Sequence, residues 1–233
     1  MITATKKELS RLLATLRHPR NGSTTYLVST LGAALVALTW VLLRTPSSAP
    51  VVRQLTAYRA DGSWSASVVR LPLSAFAPTA HLPVGGAILQ VLVALSLAGA
   101  VLGWRQAVLV GMTFNIVATL VTRVVLAIPD GPAQTYPRLR HALDTGPSVV
   151  FVSLVVCALV AERCTLLATA FVGGLVLLGV LGGPLAAEEH LVGVALGLAF
   201  GLVARSGGFR SVARAQTIAR RKSGRHDALE QPV

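Results

Sequence analysis

The chain has 233 residues, 53% of them hydrophobic and only 13% charged, with a mean hydropathy of +0.67. Soluble domains carry about 25% charged residues, so a water-soluble globular fold is set aside at once. The formal charge of +12 comes from 21 Lys and Arg against 9 Asp and Glu, a balance that would suggest nucleic acid in a soluble protein. Here the basic residues flank apolar runs, so no nucleic-acid partner is implied.

Residues 1–24 read as a cytoplasmic basic segment. They carry Lys6, Lys7, Arg11, Arg17 and Arg20 and lack the short apolar core and small-residue cleavage site of a removable signal peptide. Leu9, Leu12, Leu13 and Leu16 fall at i, i+3, i+4 and i+7, which predicts a basic amphipathic helix lying on the inner leaflet. The first span runs from Tyr26 to Leu43 and ends at Arg44 and Pro46. Residues 44–80 mix Tyr58, Trp64 and Phe76 with Arg53, Arg59, Arg70, Ser and Pro. This suits an outer loop at the headgroup interface, partly dipping into the membrane.

Spans two and three are expected over Leu82–Gly103 and Ala107–Ile128, a hairpin turning at Trp104, Arg105 and Gln106. Residues 129–145 form a polar outer loop, and Arg123 lies near enough to that end to snorkel. Span four covers Pro147–Ala161, and Glu162 and Arg163 turn it into span five, Thr165–Leu181. Span six covers Leu191–Ala204, with Glu188 and Glu189 at the outer interface.

With both termini inside, 14 Lys and Arg are cytoplasmic and six lie outside, with Arg123 in a span, as the positive-inside rule requires. The fold class is therefore an all-α polytopic membrane protein with a six-span membrane domain over residues 25–205. Residues 206–233 form a basic cytoplasmic tail with no apolar period, expected to be disordered. Anionic lipid is the expected partner of both basic ends. Cys157 and Cys164 sit at or beside an apolar run and read as buried small hydrophobes.

Spans four and six are shorter than a full crossing, and submerged helix ends are tolerated only against protein or a wet cavity. The start of span four, Asp144-Thr145-Gly146-Pro147-Ser148, gathers free backbone N–H groups. Such a terminus stabilises a developing oxyanion, and a serine within it attacks a carbonyl if a base is in reach. The start of span six, Glu189-His190-Leu191-Val192-Gly193, leads into Gly197 and Gly201. Glycines at this spacing make a groove for close helix packing, with His190 at its head. No metal site and no cofactor are implied, because the spacing of His141, Asp144, Glu188, Glu189 and His190 matches no zinc motif.

Six spans with both ends inside, a long first outer loop, Gly146-Pro147-Ser148 opening span four and His190-Leu191-Val192-Gly193 with Gly197 in span six resemble the rhomboid intramembrane serine proteases. The resemblance covers residues 25–205 and includes a weaker likeness from Arg70 through Ser74-Ala75-Phe76. Asp144 before the glycine is similar to a branch common in actinobacteria, and the Arg-rich, Ala- and Val-rich composition suits a GC-rich genome. A bacterial plasma membrane is the expected location. The resemblance implies an intramembrane dyad, with Ser148 as nucleophile and His190 as base and then acid, acting on a transmembrane-helix substrate that enters between spans two and five.

Two positions depart from the family pattern. The second glycine of the serine motif is Val149. Active rhomboids also carry a His and an Asn four residues apart in span two, whereas here His81 is followed by Gly85. Gly146, Asn115 and His81 are the candidates for oxyanion support, Asn115 being the sole Asn in any span. The sequence therefore leaves open a working protease, a catalytically inactive relative that binds membrane helices as clients, and a small transporter or channel component with Arg123 and His190 along a pathway.

Overall fold

In a computed structural model, the protein is described over residues 2–56, 58–59, 70–78, 83–128, 143–144, 147–182 and 184–206. Its helices are α1 (Ile2–Arg17), α2 (Ser23–Arg44), α3 (Ala49–Thr56), α4 (Val84–Leu102), α5 (Trp104–Ala127), α6 (Ser148–Ala161), α7 (Thr165–Gly182) and α8 (Pro184–Arg205). The described chain is all-helical apart from one antiparallel ladder of two-residue strands. β1 (Tyr58–Arg59) pairs with β2 (Leu143–Asp144), Tyr58 opposite Asp144. The ladder was not legible in the sequence, and it ties the segment after α3 to the residues that precede α6.

Three helices are long and apolar enough to cross a membrane among the described residues: Ser23–Arg44, Val84–Leu102 and Trp104–Val125. The apolar helices Ser148–Ala161 and Thr165–Leu178 are shorter. In α2 the usual polarity of a surface helix is inverted. Thr25, Ser29, Ala33, Val36 and Thr39 are buried, while Leu27, Leu31, Leu38 and Val41 are more than half exposed. Small and hydroxylated residues inside with large aliphatic residues outside is the pattern of helices packed in lipid. The inward hydroxyls stay satisfied by bonding back along the helix, Ser29 Oγ to the Thr25 carbonyl at 2.9 Å and Thr39 Oγ1 to Leu35 at 2.8 Å.

α6 is the centre of the bundle. From Val149 through Val160 every residue except Phe151 is buried, because α4, α5, α7 and α8 all pack on it. A helix that is apolar all round suits such a place. α2 packs on α4 through Gly99, where an added Cβ would come within 2.7 Å of the Thr25 methyl.

Several boundaries differ from those read in the sequence. Span three begins at Trp104, because Gly103 alone makes the α4–α5 turn at φ +94°, a conformation open to glycine. α8 begins at Pro184, so His190 lies in the second turn of a 22-residue helix and does not head a short one. The apolar run had hidden this, since Ala186, Ala187, Glu188 and Glu189 are good helix formers without being apolar enough to count as a span. Arg123 does not snorkel: it is buried, with only 8% of its surface exposed, and Glu189 is buried at 5%, not facing the outer interface.

Candidate functional site

Pro147 is the N-cap of α6 and Ser148 its first residue. The first intrahelical bond runs from the Phe151 N–H to the Pro147 carbonyl at 2.8 Å. The N–H groups of Ser148, Val149 and Val150 thus precede the helical ladder and converge at this end. The helix has 14 residues and rises about 21 Å, against a hydrocarbon core of about 30 Å. Its Ser148 end is therefore submerged if its other end reaches the interface.

α8 lies against α6 along its glycines. A Cβ on Gly193 would be 3.5 Å from the Val149 carbonyl oxygen, one on Gly197 would be 2.5 Å from that of Ser153, and one on Gly201 would be 2.8 Å from that of Cys157. Each partner pair is 44 positions apart and both series ascend, so the two helices run parallel with a fixed register. Extended toward the N-terminal ends of the two helices, that register sets His190 about 3 Å along the axis beyond Ser148.

Rotation brings the two residues to the same side as well. At about 100° per residue, His190 turns about 60° from the Gly193 direction, and Ser148 turns about 100° the opposite way from Val149. Because the contact faces of the two helices oppose each other, these rotations point both side chains to one flank of the interface. Both are partly exposed. No side-chain hydrogen bond joins them among the described residues; such bonds are often long before substrate arrives.

The Val149 departure has a local explanation. Its Cγ1 lies 3.5 Å from where a Gly193 Cβ would stand, and Val149 is only 3% exposed. The valine fills the space that the glycine on α8 leaves, so the close packing of the two helices is kept.

Beside Pro147 lies a small, partly open apolar pocket of about 30 Å³. It is walled by Val91 and Leu95 of α4, Met112 of α5, Val150 and Phe151 of α6, and Phe76. Phe151 also stacks edge-on against Phe171 of α7, ring centres 5.6 Å apart. Pro147 lines this pocket and Ser148 does not.

The other site candidates fall out differently. Asn115 is buried, and its side-chain amide donates to the Leu71 carbonyl at 3.0 Å, which fastens the short helical segment at residues 70–74 to α5. Gly146 and His81 lie outside the described residues. Glu8, and Arg11 beyond its place in the basic segment, make polar contacts that the sequence did not suggest, with residues more than 150 positions away. Their signal was that Glu8 is the sole acidic residue of the basic segment 1–24. Among known protein families, characterised proteins and solved structures, none matches this chain.

Proposed function

We propose that this chain is a rhomboid-like integral membrane protein of six spans with both termini cytoplasmic, in which Ser148 and His190 form an intramembrane Ser–His dyad. The observation that carries this reading is the parallel α6–α8 register, which brings a serine at a helix N-terminus and a histidine to one level and one flank of a close helix contact. In the proposed reaction His190 takes the Ser148 proton as Oγ attacks a substrate carbonyl. The oxyanion is met by the free N–H groups at the α6 terminus, and His190 returns the proton to the leaving amine. Water, activated by the same histidine, then releases the acyl group from Ser148. The substrate class is a transmembrane segment.

A second reading, a catalytically inactive relative that binds membrane helices as clients, is favoured by Asn115. One of its two amide N–H groups is engaged on the Leu71 carbonyl, which fixes the amide there, and loss of one oxyanion donor costs about 10² to 10³ in rate in a serine protease. Labelling of detergent-purified protein with a fluorophosphonate separates the two. Labelling of the wild type that is lost in both Ser148→Ala and His190→Ala supports the dyad. A folded wild type that stays unlabelled, beside a reactive rhomboid control, overturns the protease reading in favour of the client-binding one.

A further inference from the structure

α1 turns two different faces outward from its axis, and each has a distinct chemistry. The inward face reaches the turn between α6 and α7. Arg11 Nη1 donates to the carbonyl oxygens of Glu162 at 3.0 Å and Arg163 at 3.3 Å, at the C-terminal end of α6. The Glu8 carboxylate accepts from the Leu166 N–H at 3.1 Å, the Leu167 N–H at 3.0 Å and the Thr165 hydroxyl at 3.4 Å, the first turn of α7. A cation thus meets the negative end of one helix and an anion the positive end of the next, which is the favourable arrangement at both. Cys164, fully buried between them, directs its Sγ toward the Glu8 carbonyl oxygen at 3.7 Å.

The same segment also holds α4 and α2. Arg20 Nη1 donates to the Leu102 carbonyl at 3.1 Å and the Arg20 N–H to Ala100 at 3.2 Å. The Tyr26 hydroxyl bonds the Leu16 carbonyl. The ends of α4 and α6 and the starts of α2 and α7 therefore share one face of the bundle, and α1 lies across it.

The predicted leucine stripe is divided by this docking. Leu12 and Leu16 pack against the core, whereas Ile2, Leu9 and Leu13 are 75%, 48% and 46% exposed. These three fall within about 40° of one another around the helix, and Lys6 and Arg17 border them. Since Glu8 is consumed inward, the exposed side of α1 carries cationic and apolar groups with no acidic one. Leu27 of α2 and Leu166 of α7 are exposed too.

We propose that α1 is a bilayer-seated clamp: the anionic inner leaflet holds its Ile2–Leu9–Leu13 row and its lysines, and Glu8 and Arg11 in turn hold the α6–α7 turn. Unseating α1 from lipid frees the first turn of α7. The inference rests on the membrane reading of the chain and is independent of the Ser148–His190 chemistry.

The test is hydrogen exchange at the Leu166 and Leu167 amides of the full chain in vesicles of phosphatidylcholine with or without phosphatidylglycerol. Protection is expected in the anionic vesicles and falls about ten-fold in phosphatidylcholine alone. A similar fall is expected in anionic vesicles for Leu9→Ser combined with Leu13→Ser, and for Glu8→Ala in both lipids, while the Val155 and Val156 amides of α6 keep their protection. Equal protection of the wild type in the two lipids overturns the lipid arm, and unchanged protection in Glu8→Ala overturns the clamp. If Glu8→Ala does not fold, the wild-type lipid comparison still decides. Failure of the wild type to float with vesicles overturns the membrane reading itself.

Discussion

Gly197 lies so close to Ser153 that a Cβ atom added to it would stand 2.5 Å from the Ser153 carbonyl oxygen and 3.1 Å from the Val156 Cβ. Both obstacles belong to a buried helix and neither is the end of a flexible side chain. The glycine is thus what sets the distance between α6 and α8, and with it the relative position of Ser148 and His190.

Gly197→Ala is therefore expected to force the two helices apart. A cost of about 1–3 kcal/mol follows from overpacking a tight contact. Gly173→Ala is the control, since nothing stands within 4 Å of its Cβ position, and it should be neutral or slightly stabilising through helix propensity. Thermal unfolding in detergent measures both. Equal melting temperatures for the two variants would show that the α6–α8 contact yields more easily than its geometry implies.

Asn115→Leu removes the donor to the Leu71 carbonyl while roughly keeping side-chain volume. Leu71 and Asn115 are both buried, and the carbonyl keeps the bond it accepts from Ser74 Oγ at 2.8 Å, so the loss of the Asn115 donor costs about 0.5–1.5 kcal/mol. If Asn115 acts only through this bond, the variant melts earlier while fluorophosphonate labelling per folded molecule is unchanged. Lost labelling with unchanged stability would instead give Asn115 a place in oxyanion support.

How far these features could be read from sequence differs from one to the next. The exposed and buried faces of α2, the apolar α6 and the glycine row of α8 follow from composition and period, because a helix in lipid must hide its small and polar residues and show its large aliphatic ones. Ser148 was legible as a helix-start serine through Pro147. The level of His190 was not, since it depends on the register between two helices 44 positions apart, which no local pattern encodes. The β1–β2 ladder and the contacts of Glu8 with residues 157 to 159 positions away were equally hidden. Glu189 and Arg123 depart from the sequence expectation for a common reason: charge near a helix end reads as solvent-facing, whereas the fold buries both.

Arg163 has φ +60°. It follows α6 at the position where the Cys164 N–H bonds the Leu159 carbonyl at 2.8 Å and its own N–H bonds Val160 at 3.0 Å, a Schellman arrangement that usually places glycine there. Arg163→Gly relieves the Cβ clash of the left-handed conformation and is expected to stabilise the protein by about 1 kcal/mol. A chemical or thermal denaturation shift of that sign checks it. A destabilised variant would mean that the Arg163 side chain contributes more, through headgroup contact, than its backbone costs.

The Glu8 clamp has a pH dependence whose sign is fixed. Burial acts to raise the Glu8 carboxyl, but the N–H groups of Leu167 and Leu166, the Thr165 hydroxyl and the nearby Arg11 charge outweigh it and hold the group below its ordinary value. A carboxylate lowered in the folded state contributes stability that is fully present above its unfolded value and is lost as pH falls through the folded one. The difference in melting temperature between wild type and Glu8→Gln should thus be constant at neutral pH and shrink on acidification below the ordinary carboxylate range. A difference that stays level through that range would show that shape, not charge, holds α1 to the α6–α7 turn.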